Sequence, residues 1–134
     1  MQGEDLEKTV GGLVWRTELK EPEGVTRERL RNQVAFNRIS EHLKVVYRSR
    51  PQHNYLLVKG LKEKGEVVAA TGDGAGDSPT LKTADVGLAM GIVGTCVAKD
   101  AADIIIEDDN FCSIVEGVKW GRHIHHSVQR LLQF

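Results

Sequence analysis

The sequence has no excess of charge of either sign, only two cysteines and no long apolar run. Lys and Arg total 18 against 19 Asp and Glu, a formal net charge of −1. That balance excludes a nucleic-acid binder led by phosphate contacts. Cys96 and Cys112 form no CxxC pair, so zinc and redox motifs are unsupported. Two lone thiols fit a reducing compartment and read as inert core packing. Nowhere do about 18 apolar residues run together, so no membrane-spanning segment is expected. The opening MQGEDLEKTV lacks a basic start followed by an apolar stretch, and no signal peptide is visible. On its own the chain reads as soluble and cytoplasmic.

What is present is a length of 134 residues, enough for one domain with a real core. The charge is unevenly spread: residues 1–66 carry 13 basic and 10 acidic side chains, whereas residues 67–134 carry 5 and 9. The acidic excess falls where glycines crowd, which points to a cation site in the second half. Residues 1–25 read as an irregular lead-in with one short helix. Thr26 is a candidate cap for a helix through Leu30, Val34 and Ile39. LKVVYR (43–48) reads as a buried strand, and HNYLLVKGLKEKG (53–65) as a helix stopped by Gly65. EVVAATGDG (66–74), VGLAM (86–90) and IIIE (104–107) read as strands. Between them lie short helices in SPTLKTAD, opened by Ser78 and Pro79, and in TCVAKDAAD. This alternation predicts an α/β fold with a parallel sheet covered by helices on both faces. From Asn110, Phe111, Ile114, Val115, Val118, Gly121, Ile124, Val128, Leu131 and Leu132 form one stripe of a long amphipathic helix. That helix either packs on the sheet or continues into something beyond Phe134.

TGDGAGDSP (71–79) is the one site-like constellation. It places Asp73 just past the carboxyl end of a parallel strand, where open α/β sheets hold ligands. Asp77 follows across a turn loosened by Gly72, Gly74 and Gly76. From the residues alone, two readings stand side by side. One is a glycine-rich turn with solvated acids; the other is a pair of hard oxygen ligands for Mg²⁺. The spacing G-D-G-A-G-D does not match the dinucleotide-binding G-x-G-x-x-G.

The run VVAATGDGAGDSPTLKTADVGLAMGIVGTCVAKDAADIIIEDDNF resembles the hinge motif and following segment of P-type cation-transporting ATPases. In that family TGDGxNDAPAL is followed by K-x-A-D-x-G-x-A-M-G, G-T-x-V-A-K, A-A-D and DDNF. RSRP, LVKGLKEKG and SIVEGVKWGR are also similar to the plasma-membrane-type calcium pumps. The resemblance covers residues 43–134 well and residues 1–42 weakly. It implies three parts: a lead-in (1–42), the C-terminal part of a phosphorylation domain with a partial haloacid-dehalogenase-like (Rossmann-like) sheet (43–109), and a stalk-like helix (110–134) leading to a transmembrane helix. It further implies that Asp73 ligates Mg²⁺, that Asp77 supports the same site, and that Thr71, Gly72 and Gly74 line it. ATP would be the substrate of the full-length protein at the cytosolic face of a membrane. The nucleotide-binding, actuator and transmembrane parts of the pump would be the partners.

The departures from the family pattern are specific. No D-K-T-G-T, the family's phosphorylated aspartate motif, occurs in the 134 residues. Asn54 stands where the family has a phosphate-contacting lysine, and Gly76 where it has an asparagine. Arg50 and Lys59 are the nearby cations that could compensate. The expectation is a chain inactive alone, with a catalytically silent interaction domain as the alternative and a free-standing phosphatase as the least supported reading. His123, His125 and His126, Asp108 and Asp109, Trp15 and Trp120, and RERLR (27–31) remain. The histidines and RERLR read as solvated faces, the tryptophans as packing residues, and the Asp pair as partners of the following helix N-terminus.

Overall fold

A computed structural model describes residues 1–17 and 26–134, excepting the side chains of 15–17 and 26–28. The elements run α1 (Gly3–Val10), β1 (Leu13–Thr17), β2 (Thr26–Leu30), α2 (Gln33–Ser40), α3 (Pro51–Lys64), β3 (Ala69–Gly72), α4 (Ser78–Thr83), β4 (Val86–Met90), α5 (Cys96–Ala101), β5 (Ile104–Ile106) and α6 (Phe111–Gln133). β3, β4 and β5 form a parallel sheet in that order, with Thr71 opposite Leu88 and Leu88 opposite Ile104. The expected α/β architecture, with its parallel sheet, flanking helices and long C-terminal helix, is present.

Two apolar clusters meet along α3. Val58 joins Val68, Ala70, Leu81, Ala84, Ala89 and Ala98 under the parallel sheet. Leu56, two residues earlier, joins Leu6, Val10, Leu30 and Phe36 instead. One helix therefore ties the lead-in to the sheet. Its end is set by Gly65, whose left-handed φ of 93° closes the last turn as expected.

Asp85 pins the start of β3 beside this helix. Its carboxylate accepts the Val68 N–H at 2.9 Å and pairs with Lys62 Nζ at 2.9 Å. The Val68 hydrogen bond first, and the Lys62 contact second, hold this carboxyl below its ordinary value. A depressed native pKa stabilises the fold above the unfolded value of about 3.9, and the contribution is lost as pH falls through the native value. The thermal midpoint is therefore expected to drop on acidification below about pH 4. Asp85→Ala should start lower and show a shallower acid slope; equal slopes in a calorimetric pH series would contradict this.

Several expectations are corrected. LKVVYR is no strand: it makes only an isolated bridge, Tyr47 to Gln2. Its valines have no neighbouring strand to pair with. Thr26 opens the antiparallel strand β2, not a helix; β2 pairs with β1, so the lead-in is more ordered than expected. The helix begins at Gln33, where Asn32 accepts the Ala35 N–H at 3.0 Å. Phe36 is its buried residue, while Val34 is exposed. Ser78 lies inside α4, whose cap is Asp77.

The sheet is also less covered than expected. Ala70 and Ala89 face the cluster formed with α3, α4 and α5. The other face, with Ala69, Val86 and Ile104, borders an open apolar groove of about 710 Å³ beside the first turns of α6. No residue of α6 is buried. The helix begins as expected, with Asn110 Oδ1 accepting the Cys112 N–H at 3.0 Å, but its apolar stripe does not pack on the sheet. None of the described helices is long and apolar enough to cross a membrane.

Candidate functional site

The carboxyl ends of β3 and β4 open into a cleft of about 430 Å³. Asn54, Thr71, Asp73, Asp77, Val93 and Asp109 contribute to its walls. Each is delivered by a different local device. Thr71 and Gly72 end β3, so Asp73 stands at the first position free of the sheet. A tight turn, Ala75–Asp77, then brings the chain back, and Asp77 Oδ2 accepts the Gly74 N–H at 3.3 Å. Gly72 permits this return: a Cβ there would lie 2.6 Å from Asp77 Cβ. Asn54 enters from the first turn of α3, with Ser49 Oγ donating to its Oδ1 at 2.7 Å. That leaves the Asn54 amide NH₂ as a donor.

The residues singled out in TGDGAGD separate into two groups. Thr71, Gly72, Asp73 and Asp77 share the cleft. Gly74 touches it through its hydrogen bond to Asp77. Gly76 instead faces α3, where a Cβ would lie 3.1 Å from Pro51 Cγ, and it lines a neighbouring cavity with His53. Arg50 and Lys59 do not line the cleft; the Arg50 guanidinium is held by Glu4 at 3.0 Å.

All the side chains that could face a cation here offer oxygen. Asp73 is exposed and its carboxylate makes no hydrogen bond or ion pair among the described residues. Two carboxylates with a hydroxyl suit Mg²⁺, which keeps several waters and takes phosphate oxygens readily. Among the described residues no group of three or more His, Cys, Asp or Glu could hold a metal. A cation at Asp73 would therefore need oxygens from water or ligand to complete its shell.

Asp109 was expected to serve the N-terminus of α6, but it faces the cleft. Its carboxylate accepts the N–H groups of Ile92 at 3.0 Å and Val93 at 2.8 Å. The Ile92 hydrogen bond is the largest influence holding its carboxyl below the ordinary range. Asp108 keeps the expected role: it accepts the Ser113 hydroxyl at 2.6 Å and the Asn110 N–H at 3.2 Å. The Ser113 contact, more than the others, lowers its pKa.

His53 was not foreseen at all. It is 2% exposed, its Nδ1 accepts the Arg50 N–H at 3.1 Å, and its Nε2 lies 3.1 Å from Glu7 Oε2. This arrangement needs a neutral ring donating from Nε2, which makes His53 a strut between α1 and α3. Other expectations fail by exposure. Cys96 and Cys112 are free and exposed rather than packed in the core. Trp120 is 65% exposed, edge-on to His123 with centroids 6.2 Å apart. His123, His125 and His126 are exposed, as expected. Arg29 and Arg31 of RERLR are exposed too, but Arg29 extends from β2 and Arg31 follows its end, rather than lying on a helix. The side chains of Trp15, Arg27 and Glu28 lie outside the described set.

No protein-family model matches the sequence. Individual proteins match it closely. Putative calcium-transporting ATPase 13, plasma membrane-type, from Arabidopsis thaliana is 50% identical over 109 residues, which is 80% of this chain and 11% of that protein. Plasma membrane calcium-transporting ATPase 1 from Mus musculus is 51% identical over 107 residues, or 76% of this chain and 9% of that protein. The chain thus spans about a tenth of the length of these relatives. Among solved structures, the catalytic domain of the CPx-ATPase CopB-B superposes with a TM-score of 0.53 at 29% identity. That match covers 63% of this chain and 34% of the other.

Proposed function

We propose that this chain, homologous over 76–80% of its length to plasma-membrane-type calcium-transporting ATPases, supplies the magnesium-binding hinge of a haloacid-dehalogenase-like phosphorylation domain. The observation that carries the reading is the meeting of Asn54, Thr71, Asp73 and Asp77 in one cleft at the ends of parallel strands. When bound there, Mg²⁺ would neutralise charge on a phosphoryl group and fix its position. Asp73 provides the free carboxylate, and Asp77 closes the turn that presents it. Thr71, with the backbone at Gly72 and Gly74, shapes the floor. The Asn54 amide NH₂ is a donor available to a bound phosphoryl oxygen but brings no positive charge.

The 134 residues contain no D-K-T-G-T, so phosphoryl transfer to aspartate needs a nucleophile from other sequence. The isolated chain is accordingly inactive toward ATP. In a whole pump, this segment works in ATP-driven calcium movement across a membrane, with the rest of the pump as its partner. Asn54 and Gly76 favour a second reading, a catalytically silent domain that retains the fold and acts by association.

A chimaera separates the two. Residues 43–134 replace the matching segment of the mouse pump, and calcium-dependent ATP hydrolysis is measured. The segment as it stands should support turnover reduced by roughly 10²–10³-fold, the usual cost of a lost charge-stabilising donor. Asn54→Lys with Gly76→Asn should restore most of it, with Pro51 yielding slightly to the new side chain. A dead chimaera that these substitutions do not revive would leave the silent domain; turnover of ATP by the isolated chain would contradict the reading outright.

A further inference from the structure

We propose that Asp109 is a positioning residue for the Asp73 loop, acting through the β4–α5 connection. The inference rests on the magnesium reading of Asp73 and adds a residue to it. Asp109 lies in the link between β5 and α6, yet both its carboxylate oxygens reach another loop. Oδ1 accepts the Ile92 N–H at 3.0 Å, and Oδ2 accepts the Val93 N–H at 2.8 Å. Two residues further along that loop, the Thr95 N–H donates to the Asp73 carbonyl at 2.8 Å. The connection between β4 and α5 is thus gripped from opposite sides, by Asp109 and by the backbone of the residue proposed to meet the cation.

The loop between these grips has little slack. The Gly91 N–H donates to the Ile106 carbonyl at 2.8 Å, and Gly94 sits hard against the Met90 carbonyl. Moving the Ile92–Val93 amides therefore moves Thr95, and with it the Asp73 carbonyl. Asp109 itself is held at φ 50°, in the left-handed region. Side-chain-bearing residues seldom adopt that conformation, Asp and Asn less seldom than most. The turn aims the carboxylate back across the sheet ends instead of along α6. Asp108 provides an internal control: it is a neighbouring carboxylate, but its partners among the described residues, Asn110 and Ser113, lie at the start of α6.

Because Asp109 and Asp73 are linked through loop backbone, magnesium affinity and loop order should respond together. Outer partners of a metal site typically contribute 10–100-fold to affinity. The test titrates MgCl₂ into the full 134-residue chain and its variants, following amide resonances by ¹⁵N NMR. Asp109→Ala should weaken magnesium binding by about tenfold or more, and the Ile92, Val93 and Thr95 amides should lose their magnesium-dependent shifts. Asp109→Asn, which keeps one acceptor oxygen, should fall between, and Asp108→Ala should bind as the wild type does. Thermal midpoints of each variant are read alongside. Asp109 variants that melt earlier but bind magnesium with unchanged affinity would show a purely structural residue and overturn the proposal. Wild-type affinity in Asp73→Asn would instead remove the magnesium reading on which it rests.

Discussion

Phe36→Ala is expected to destabilise the chain by about 3–5 kcal/mol, the usual range for emptying a buried phenylalanine site. The side chain is 1% exposed and belongs to the cluster with Leu6, Val10, Leu30 and Leu56. Its ring lies on Gly60, where a Cβ would come within 2.5–2.7 Å of three ring carbons. α2 and α3 are therefore in contact through a ring against bare backbone, reinforced by Gln33 Nε2 donating to the Gly60 carbonyl at 2.9 Å. Removing the ring leaves a cavity that neither helix can close without losing that hydrogen bond. Total stability for a domain of this size is about 5–15 kcal/mol, so the loss is a large share of it. Urea unfolding should show the midpoint falling sharply with little change in slope. Gly60→Ala should be similarly damaging for the opposite reason, since it overfills the same contact. A change under about 1 kcal/mol for Phe36→Ala, below the range for such sites, would mean that α2 is not docked on α3.

Legibility in the sequence followed the kind of signal each element carries. β3, β4 and the end of α3 could be read because small and β-branched runs and Gly65 mark them locally, whereas α3 starts at Pro51, two residues before the expected His53. α6 could be read because its stripe and Asn110 cap repeat over 23 residues. β2 could not, since TRERL carries alternating charge whose partner strand lies across a connection. LKVVYR misled in the other direction: β-branched residues favour a strand where neighbouring strands pack against them. Here β-pairing is confined to Tyr47, whose N–H donates to the Met1 carbonyl and whose carbonyl accepts the Gly3 N–H.

Within the cleft, Asp73, Asp77, Thr71 and Gly72 were legible as one motif because they are contiguous. Gly76 stood out only as a departure from the family pattern; that it turns toward Pro51 rather than into the cleft was not legible. Asp109 was read by its neighbours, as an acid before a helix. A left-handed φ that reverses its direction is a tertiary outcome, not a local one. His53 was invisible for a related reason: a polar residue in a polar stretch reads as surface, and only the return of α1 against it reveals the buried strut.

Magnesium binding is the second large effect, and it bears on the central claim. Asp73 and Asp77 converge on one cleft that no cationic side chain lines among the described residues. A carboxylate replaced by its amide keeps shape and one acceptor oxygen but loses the charge that attracts a divalent ion. Asp77→Asn should weaken binding less than Asp73→Asn, because Asp77 already spends one oxygen on the Gly74 N–H. The direct measurement is calorimetric titration of MgCl₂ into the wild-type chain and Asp73→Asn, both confirmed folded. Weak saturable binding in the wild type that vanishes in Asp73→Asn is the predicted result. Indistinguishable isotherms from the two proteins would contradict the assignment of this cleft as a magnesium site.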